Sequence, residues 1–186
     1  MVTELRIYFE GDSALRPGFR QFLKSAASEK ATFVATGATP VEDFRIAVQK
    51  HPNALNILLL DSEGPADGEE ATRRLAAIPA KAHDCVFWMV QLMESWFLAD
   101  PDALAQYYRQ GFVSGLFKPW SDVESIPKAD VETILHDATR KTQKGKYHKT
   151  AHAPHLLALI SPDRVRQKSP HCRRLFERIP AMLPQP

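Results

Sequence analysis

Residues 57–64 read Ile57-Leu58-Leu59-Leu60-Asp61-Ser62-Glu63-Gly64, and this stretch decides the fold. Its apolar run starts at Ala54 and has the length of a strand rather than of a helix. A run without polar alternation is expected of a central parallel strand whose two faces are both covered. The run stops at Asp61 and Glu63, and Gly64 lets the chain turn. Upstream the design recurs as Leu5-Arg6-Ile7-Tyr8-Phe9-Glu10-Gly11-Asp12. In both, a carboxylate stands where a buried strand ends. Open α/β sheets bind ligands at the carboxyl ends of their strands, and carboxylates gathered there suit a hard cation such as Mg²⁺.

Outward from this stretch, strand and helix patterns alternate. Residues 5–9, 32–36, 54–60 and 85–90 read as strands. Between them, residues 13–28, 40–51 and 69–78 read as helices. The first has an irregular start at Pro17-Gly18, and the second opens on a capping Thr39 and Pro40. Such alternation predicts an α/β domain with a mainly parallel, Rossmann-like sheet flanked by helices. Beyond residue 90 the strand signal fades. Residues 93–98 and 101–108 look helical, with Asp100 as a cap, and 111–125 are loop-like. A helix over 127–142, a polar basic loop over 143–149 and helices over 153–160 and 169–179 follow, with a Pro-rich tail over 181–186. The expectation is one domain over 1–186, with a core of residues 1–100 and a mostly helical basic extension of residues 101–186.

With 44% hydrophobic and 25% charged residues, the chain has the balance of a globular protein rather than a disordered one. No apolar run approaches the ~18–20 residues of a membrane span, so no membrane partner is expected. The opening Met1-Val2-Thr3-Glu4 lacks the basic start and apolar stretch of a secretory signal, which makes the cytoplasm the expected location. Two cysteines are too few for a disulfide framework and too far apart for a zinc motif. The net charge of +2 conceals an asymmetry. Residues 140–178 carry 11 Lys and Arg against two acids, and the remainder carries 13 against 20. A basic segment joined to an acidic remainder points to a polyanion partner, or to a solubilising helical face.

Asp61 and Glu63 are separated by one residue. On a continuing strand they would point to the same side, about 7 Å apart, and would converge on one cation or hold two. If the strand ending at Glu10 neighbours the one ending at Asp61, all three carboxylates meet at one rim. Glu94 follows the 85–90 strand by four residues. It is either a fourth acidic ligand at that rim or a helix N-terminal acid stabilised by the dipole. A divalent ion in such a place would bridge to phosphate oxygens and polarise them.

Strand–Glu-Gly, an intervening β/α unit, and then strand–Asp-x-Asp/Glu resembles the Toprim domain of topoisomerases, primases, recombination proteins and overcoming-lysogenization-defect nucleases. The resemblance implies that Glu10 is that family's glutamate. Asp61 and Glu63 would be its Asp-x-Asp, with glutamate in place of the second aspartate. A closer similarity covers most of the chain. Phe9-Glu10-Gly11, Leu60-Asp61-Ser62-Glu63-Gly64-Pro65, Met93-Glu94-Ser95-Trp96-Phe97-Leu98-Ala99-Asp100, Tyr147-His148-Lys149 and Ser169-Pro170-His171-Cys172 are similar to a bacterial Toprim-like family, domain-of-unknown-function family 4276. Its members are often encoded beside AAA-type ATPases, a pairing like that of anti-phage defence systems. The resemblance implies a Mg²⁺- or Mn²⁺-dependent nuclease acting on DNA or RNA. Glu10, Asp61 and Glu63 would be metal ligands, joined by Glu94 if its place after the 85–90 strand brings it to the same rim, with Glu10 alternatively a general acid/base and Lys149 a group that offsets phosphate charge. The other reading is a non-catalytic module docking on an AAA-type ATPase, to which Trp96, Trp120 and Tyr147 would contribute exposed aromatic surface.

The basic loop carries the nucleic-acid expectation. Lys144, Lys146 and Lys149 offer charges to phosphates, Gly145 permits close backbone approach, and Tyr147 is placed to stack on a base. The loop lacks P-loop spacing. His148 and His152 have the i, i+4 spacing of a helical metal pair, but no Glu lies between them and Pro154 follows. Hydrogen-bonding or surface roles are expected of both.

Overall fold

A computed structural model describes residues 4–27 and 29–183. Four strands form one parallel sheet: β1 (Glu4–Phe9), β2 (Thr32–Ala35), β3 (Ala54–Asp61) and β4 (Val86–Met89), in the order β2-β1-β3-β4. The helices are α1 (Arg16–Phe22), α2 (Pro40–Lys50), α3 (Glu69–Ala76), α4 (Pro101–Tyr108), α5 (Lys128–Thr139), α6 (Lys149–Leu159), α7 (Pro162–Lys168) and α8 (Pro170–Met182). The expected Rossmann-like α/β architecture is the one observed.

The strand side chains divide by parity. Ile7, Phe9, Ile57, Leu59, Phe87 and Met89 enter one apolar cluster, with Phe19 and Phe22 of α1, Leu156 and Leu157 of α6 and Leu175 of α8. Tyr8, Leu58, Leu60 and Val86 enter a second, with Phe44 and Ala47 of α2. Two covered faces explain why residues 57–60 of β3 are apolar without alternation. The helical second half is not a layer apart, since its side chains complete the core that begins at β1.

Three sequence expectations change. Gly18 lies inside α1, where a Cβ would stand 2.8 Å from the Pro154 carbonyl oxygen and 3.0 Å from Leu157 Cβ. It lets α1 approach α6 rather than merely delaying a helix start. Pro154 sits within α6, which begins at Lys149 and so absorbs the end of the expected loop. The missing N–H costs one hydrogen bond to residue 150, which is exposed and open to water. Likewise α8 runs through Pro180 to Met182, into the expected tail. Ser28 and residues 184–186, which those expectations also included, lie outside the described residues. No helix among the described residues is long and apolar enough to cross a membrane.

Candidate active site

The order β2-β1-β3-β4 reverses direction between β1 and β3, and open parallel sheets form their ligand crevice at such a switch point. Phe9 pairs with Leu59, so Glu10 and Asp61 emerge side by side. The Glu10 amide extends the ladder by one bond to the Leu59 carbonyl (3.0 Å). Gly11 then turns the chain away at φ +126°, where L-residues are disfavoured. The next donor of β3, the Asp61 amide, is met by the Glu10 carboxylate instead of a strand carbonyl (3.1 Å).

Arg74, on α3, grips Glu10 with two guanidinium nitrogens at 2.7 and 3.1 Å and donates to the Asp61 carbonyl at 2.8 Å. Its pKa is raised, chiefly by the hydrogen bond to Glu10. Asp61 is 4% exposed. Its Oδ1 accepts the Met93 amide at 2.8 Å, and its Oδ2 lies 3.9 Å from Lys149 Nζ. Burial pushes its carboxyl well above the usual range. Lys149 opposes that shift, and the charges of Glu94 and Glu10 add to it.

Glu94 lies in a 3₁₀ segment, Met93–Ala99, and is buried. Tyr147 donates its hydroxyl to Glu94 at 3.0 Å, and Lys149 Nζ lies 3.3 Å from the same carboxylate. Burial alone would lower the Lys149 pKa, but Glu94 and Asp61 outweigh it and the net shift is upward. Lys149 is held in place by its own helix start. His152 Nδ1 accepts the His148 amide (3.1 Å), and the Tyr108 hydroxyl lies 3.0 Å from the same nitrogen, so the two histidines have the hydrogen-bonding role expected of them.

Glu63 departs from the strand geometry that predicted its convergence with Asp61. The left-handed residue of this turn is Glu63 itself, at φ 61°, not Gly64. Its amide donates to the Gln91 carbonyl (2.8 Å), and its carboxylate accepts from Lys128 Nζ (2.5 Å) at the start of α5. Gln91 fastens the same corner, since its Oε1 accepts the Lys128 amide at 2.8 Å.

The acids therefore share one rim, each with its own basic neighbour. Glu10 has Arg74, Glu63 has Lys128, and Glu94 with Asp61 has Lys149. Among the described residues, no group of three or more His, Cys, Asp or Glu is arranged to hold a metal. Asp61, Glu63 and Glu94 line a cleft of about 420 Å³ together with Lys128, Lys146 and Lys149. Tyr147 is also corrected. It is not an exposed stacking platform, because its hydroxyl is spent on Glu94 and its ring packs edge-on against Phe97 at 6.1 Å. Lys144 lies elsewhere, with Nζ 4.7 Å from the Tyr107 ring centroid.

Sequence reasoning missed Arg74, Gln91, Lys128 and Glu124. Lys128 did carry a signal: a cation in the first turn of a helix opposes the dipole and calls for a local acid. Glu124 accounts for the Ser169-Pro170-His171-Cys172 stretch. It accepts Ser169 Oγ (2.5 Å), the His171 amide (2.8 Å) and His171 Nδ1 (2.7 Å), which clamps the start of α8. Ser169 bonds the carboxylate rather than the imidazole, so this is no nucleophilic triad. Burial alone would raise the Glu124 pKa, but hydrogen bonds from His171 and Ser169 hold it below the ordinary value. A depressed folded pKa gives stability that is present above the unfolded value and lost as pH falls through the folded one. Wild type should therefore be more stable than Glu124→Gln at pH 7. The gap should close below pH 4.5, the ordinary glutamate value. Urea melts of both proteins over pH 3–7 check this, and a gap independent of pH would refute it.

A family model, domain of unknown function (DUF4276), matches residues 12–180. The chain belongs to that family. No curated protein and no solved structure matches it significantly.

Proposed function

We propose that this DUF4276 protein is a Toprim-like, divalent-metal-dependent hydrolase of nucleic-acid phosphodiesters. The observation that carries the reading is the pair Asp61 and Glu94, buried at the switch point and sharing a single cation, Lys149. The donor set fits Mg²⁺ or Mn²⁺. Mg²⁺ typically takes one or two carboxylates and completes its shell with water and substrate phosphate, so three converging acids are not required. Asp61 and Glu94 would hold the ion. When bound, it supplies Lewis-acid polarisation of a phosphoryl oxygen.

The chain's own residues do the rest. Glu10, locked by Arg74, fixes the Asp61 backbone and so acts as a positioning residue. Tyr147 orients Glu94 through its hydroxyl. Lys128, Lys146 and Lys149 also line the cleft, and would meet the phosphates of a polyanion once a metal offsets the acids there. Lys149 is also the group placed to offset charge on the phosphate once a metal satisfies the acids. We place the protein in the bacterial cytoplasm, as a defence effector working with an AAA-type ATPase.

One observation favours a second reading, a non-catalytic module docking on that ATPase: each acid already has a basic partner, which leaves a nearly neutralised rim. Calorimetric titration with Mn²⁺, alongside incubation with single- and double-stranded DNA and RNA, separates the two. Metal binding with cleavage is expected. No binding and no cleavage would overturn the hydrolase and favour the module.

A further inference from the structure

We infer that a second cleft, at the C-terminal end of α4, receives an unpaired nucleobase and its phosphate, so that the substrate class is single-stranded nucleic acid. This deepens the nucleic-acid reading above and rests on it. The cleft measures about 530 Å³, and its walls include Gln106, Tyr107, Arg109, Gln110, Gln143 and Lys144. Among the described residues no acid lines it, in a chain with 22 acids. By contrast, four acids line the Asp61 cleft. An aromatic ring, two cations and three side-chain amides are the groups that stack a base, bind its phosphate and reach its hydrogen-bonding edge.

Three details sharpen the assignment. Tyr107 is held as a platform: it stacks on His155 at 5.8 Å and 22°, and stands edge-on to Tyr108 at 4.9 Å. Lys144 and Arg109 form no ion pair among the described residues, and Lys144 rests on the Tyr107 ring, from which a ligand phosphate would draw it. Arg109 sits at φ 60°, a conformation in which glycine would be unstrained, so an arginine side chain is kept there at a conformational cost.

The two clefts belong to one path. Gln143 and Lys144 line this one, whereas Lys146 and Lys149 line the acidic one, with Gly145 turning between them at φ 76°. Lys144 and Lys146 are two residues apart, at most about 7 Å of chain. That is a step of about one nucleotide, so a strand engaged at Asp61 reaches Tyr107 within a few. A duplex keeps its base faces stacked and cannot use the ring.

Fluorescence anisotropy in EDTA, with a labelled oligothymidine and a blunt duplex of equal length, reads binding without hydrolysis. The single strand should bind about tenfold more tightly than the duplex. Tyr107→Ala should remove about that factor and Tyr107→Phe should restore it, since base stacking is typically worth about 1–3 kcal/mol. Arg109→Gly should weaken single-strand binding without lowering the melting temperature, a combination that a merely structural arginine would not give. Lys144→Glu, at an exposed position, supplies the test if Tyr107→Ala does not fold. Equal affinity for strand and duplex, or single-strand binding unchanged in folded Tyr107→Ala or in Lys144→Glu, would overturn the inference. Strand-selective binding without Mn²⁺-dependent cleavage would defeat the hydrolase reading and leave this site standing. Cleavage of strand and duplex alike would do the reverse.

Discussion

Asp61→Asn is expected to abolish Mn²⁺-dependent cleavage and, at the same time, to raise the melting temperature. The two effects have one cause. Asp61 is buried at the end of β3, and burial, helped by Glu94 and Glu10, pushes its pKa well up. An acid whose folded pKa lies above its unfolded one stabilises the fold while protonated. That stability is fully present below the unfolded value of 3.8 and is lost as pH rises through the folded pKa. At pH 7–8, above its unfolded value, the group is therefore a standing cost, opposed by Lys149 at 3.9 Å and by the Met93 amide. Asparagine keeps an oxygen for the Met93 amide and removes the charge. A gain of about 1 kcal/mol is the usual size of such relief, or roughly 2–4 °C for a chain of this length. The same substitution removes a carboxylate from the buried pair that shares Lys149, so cleavage should fall by at least about a hundredfold. Calorimetric scans at pH 7.5 and cleavage rates under saturating Mn²⁺ measure both. A lower melting temperature, or a rate within tenfold of wild type, would count against the assignment of Asp61.

The sheet was legible because its signal is local and redundant. Residues 57–60 could not be apolar throughout unless both faces were covered, and the two clusters on either side of β3 cover them. From the strand ends followed the neighbouring positions of Glu10 and Asp61. What was not legible depended on the partners of those acids. Arg74 lies beside Glu70 and Arg73, and reads as one member of a surface charge run. In the fold, Arg73 pairs with Glu70, while Arg74 also reaches across to Glu10. The supposed convergence of Asp61 and Glu63 assumed that strand geometry continues past Asp61, whereas the chain turns left-handed at Glu63. Tyr147 looked like an exposed aromatic in a basic loop, because a sequence does not reveal that Glu94 and Phe97 come to meet it.

Trp96→Ala is expected to be the most destabilising single change in the chain, and it shows why the Glu94–Asp100 stretch is built as it is. Glu94 faces the cleft. Asp100 caps α4 through the Ala103 amide (3.3 Å), as expected, and also accepts the Ser161 amide at 2.8 Å and Arg164 at 2.9 Å, tying α4 to α7. Between them Trp96 is fully buried, stacked on Phe22 at 5.0 Å and edge-on to Phe19 at 6.5 Å, and Phe22 in turn meets Phe176 of α8 at 5.6 Å. The indole is thus the pin through α1, the 3₁₀ segment and α8. Removing a buried Trp typically costs about 3–5 kcal/mol, a large part of the ~5–15 kcal/mol that holds a domain together. The melting temperature should fall by roughly 6–20 °C. Trp96→Phe should recover most of this loss, because the indole Nε1 has no hydrogen-bond partner to lose among the described residues. Since Glu94 lies two residues away on the same segment, cleavage should follow stability: poor in Trp96→Ala even below its melting point, and near normal in Trp96→Phe. Urea denaturation and rates at 15 °C separate the two contributions. A Trp96→Ala protein within 1 kcal/mol of wild type would mean that the segment is anchored elsewhere, and that Glu94 owes its position to Tyr147 and Lys149 instead.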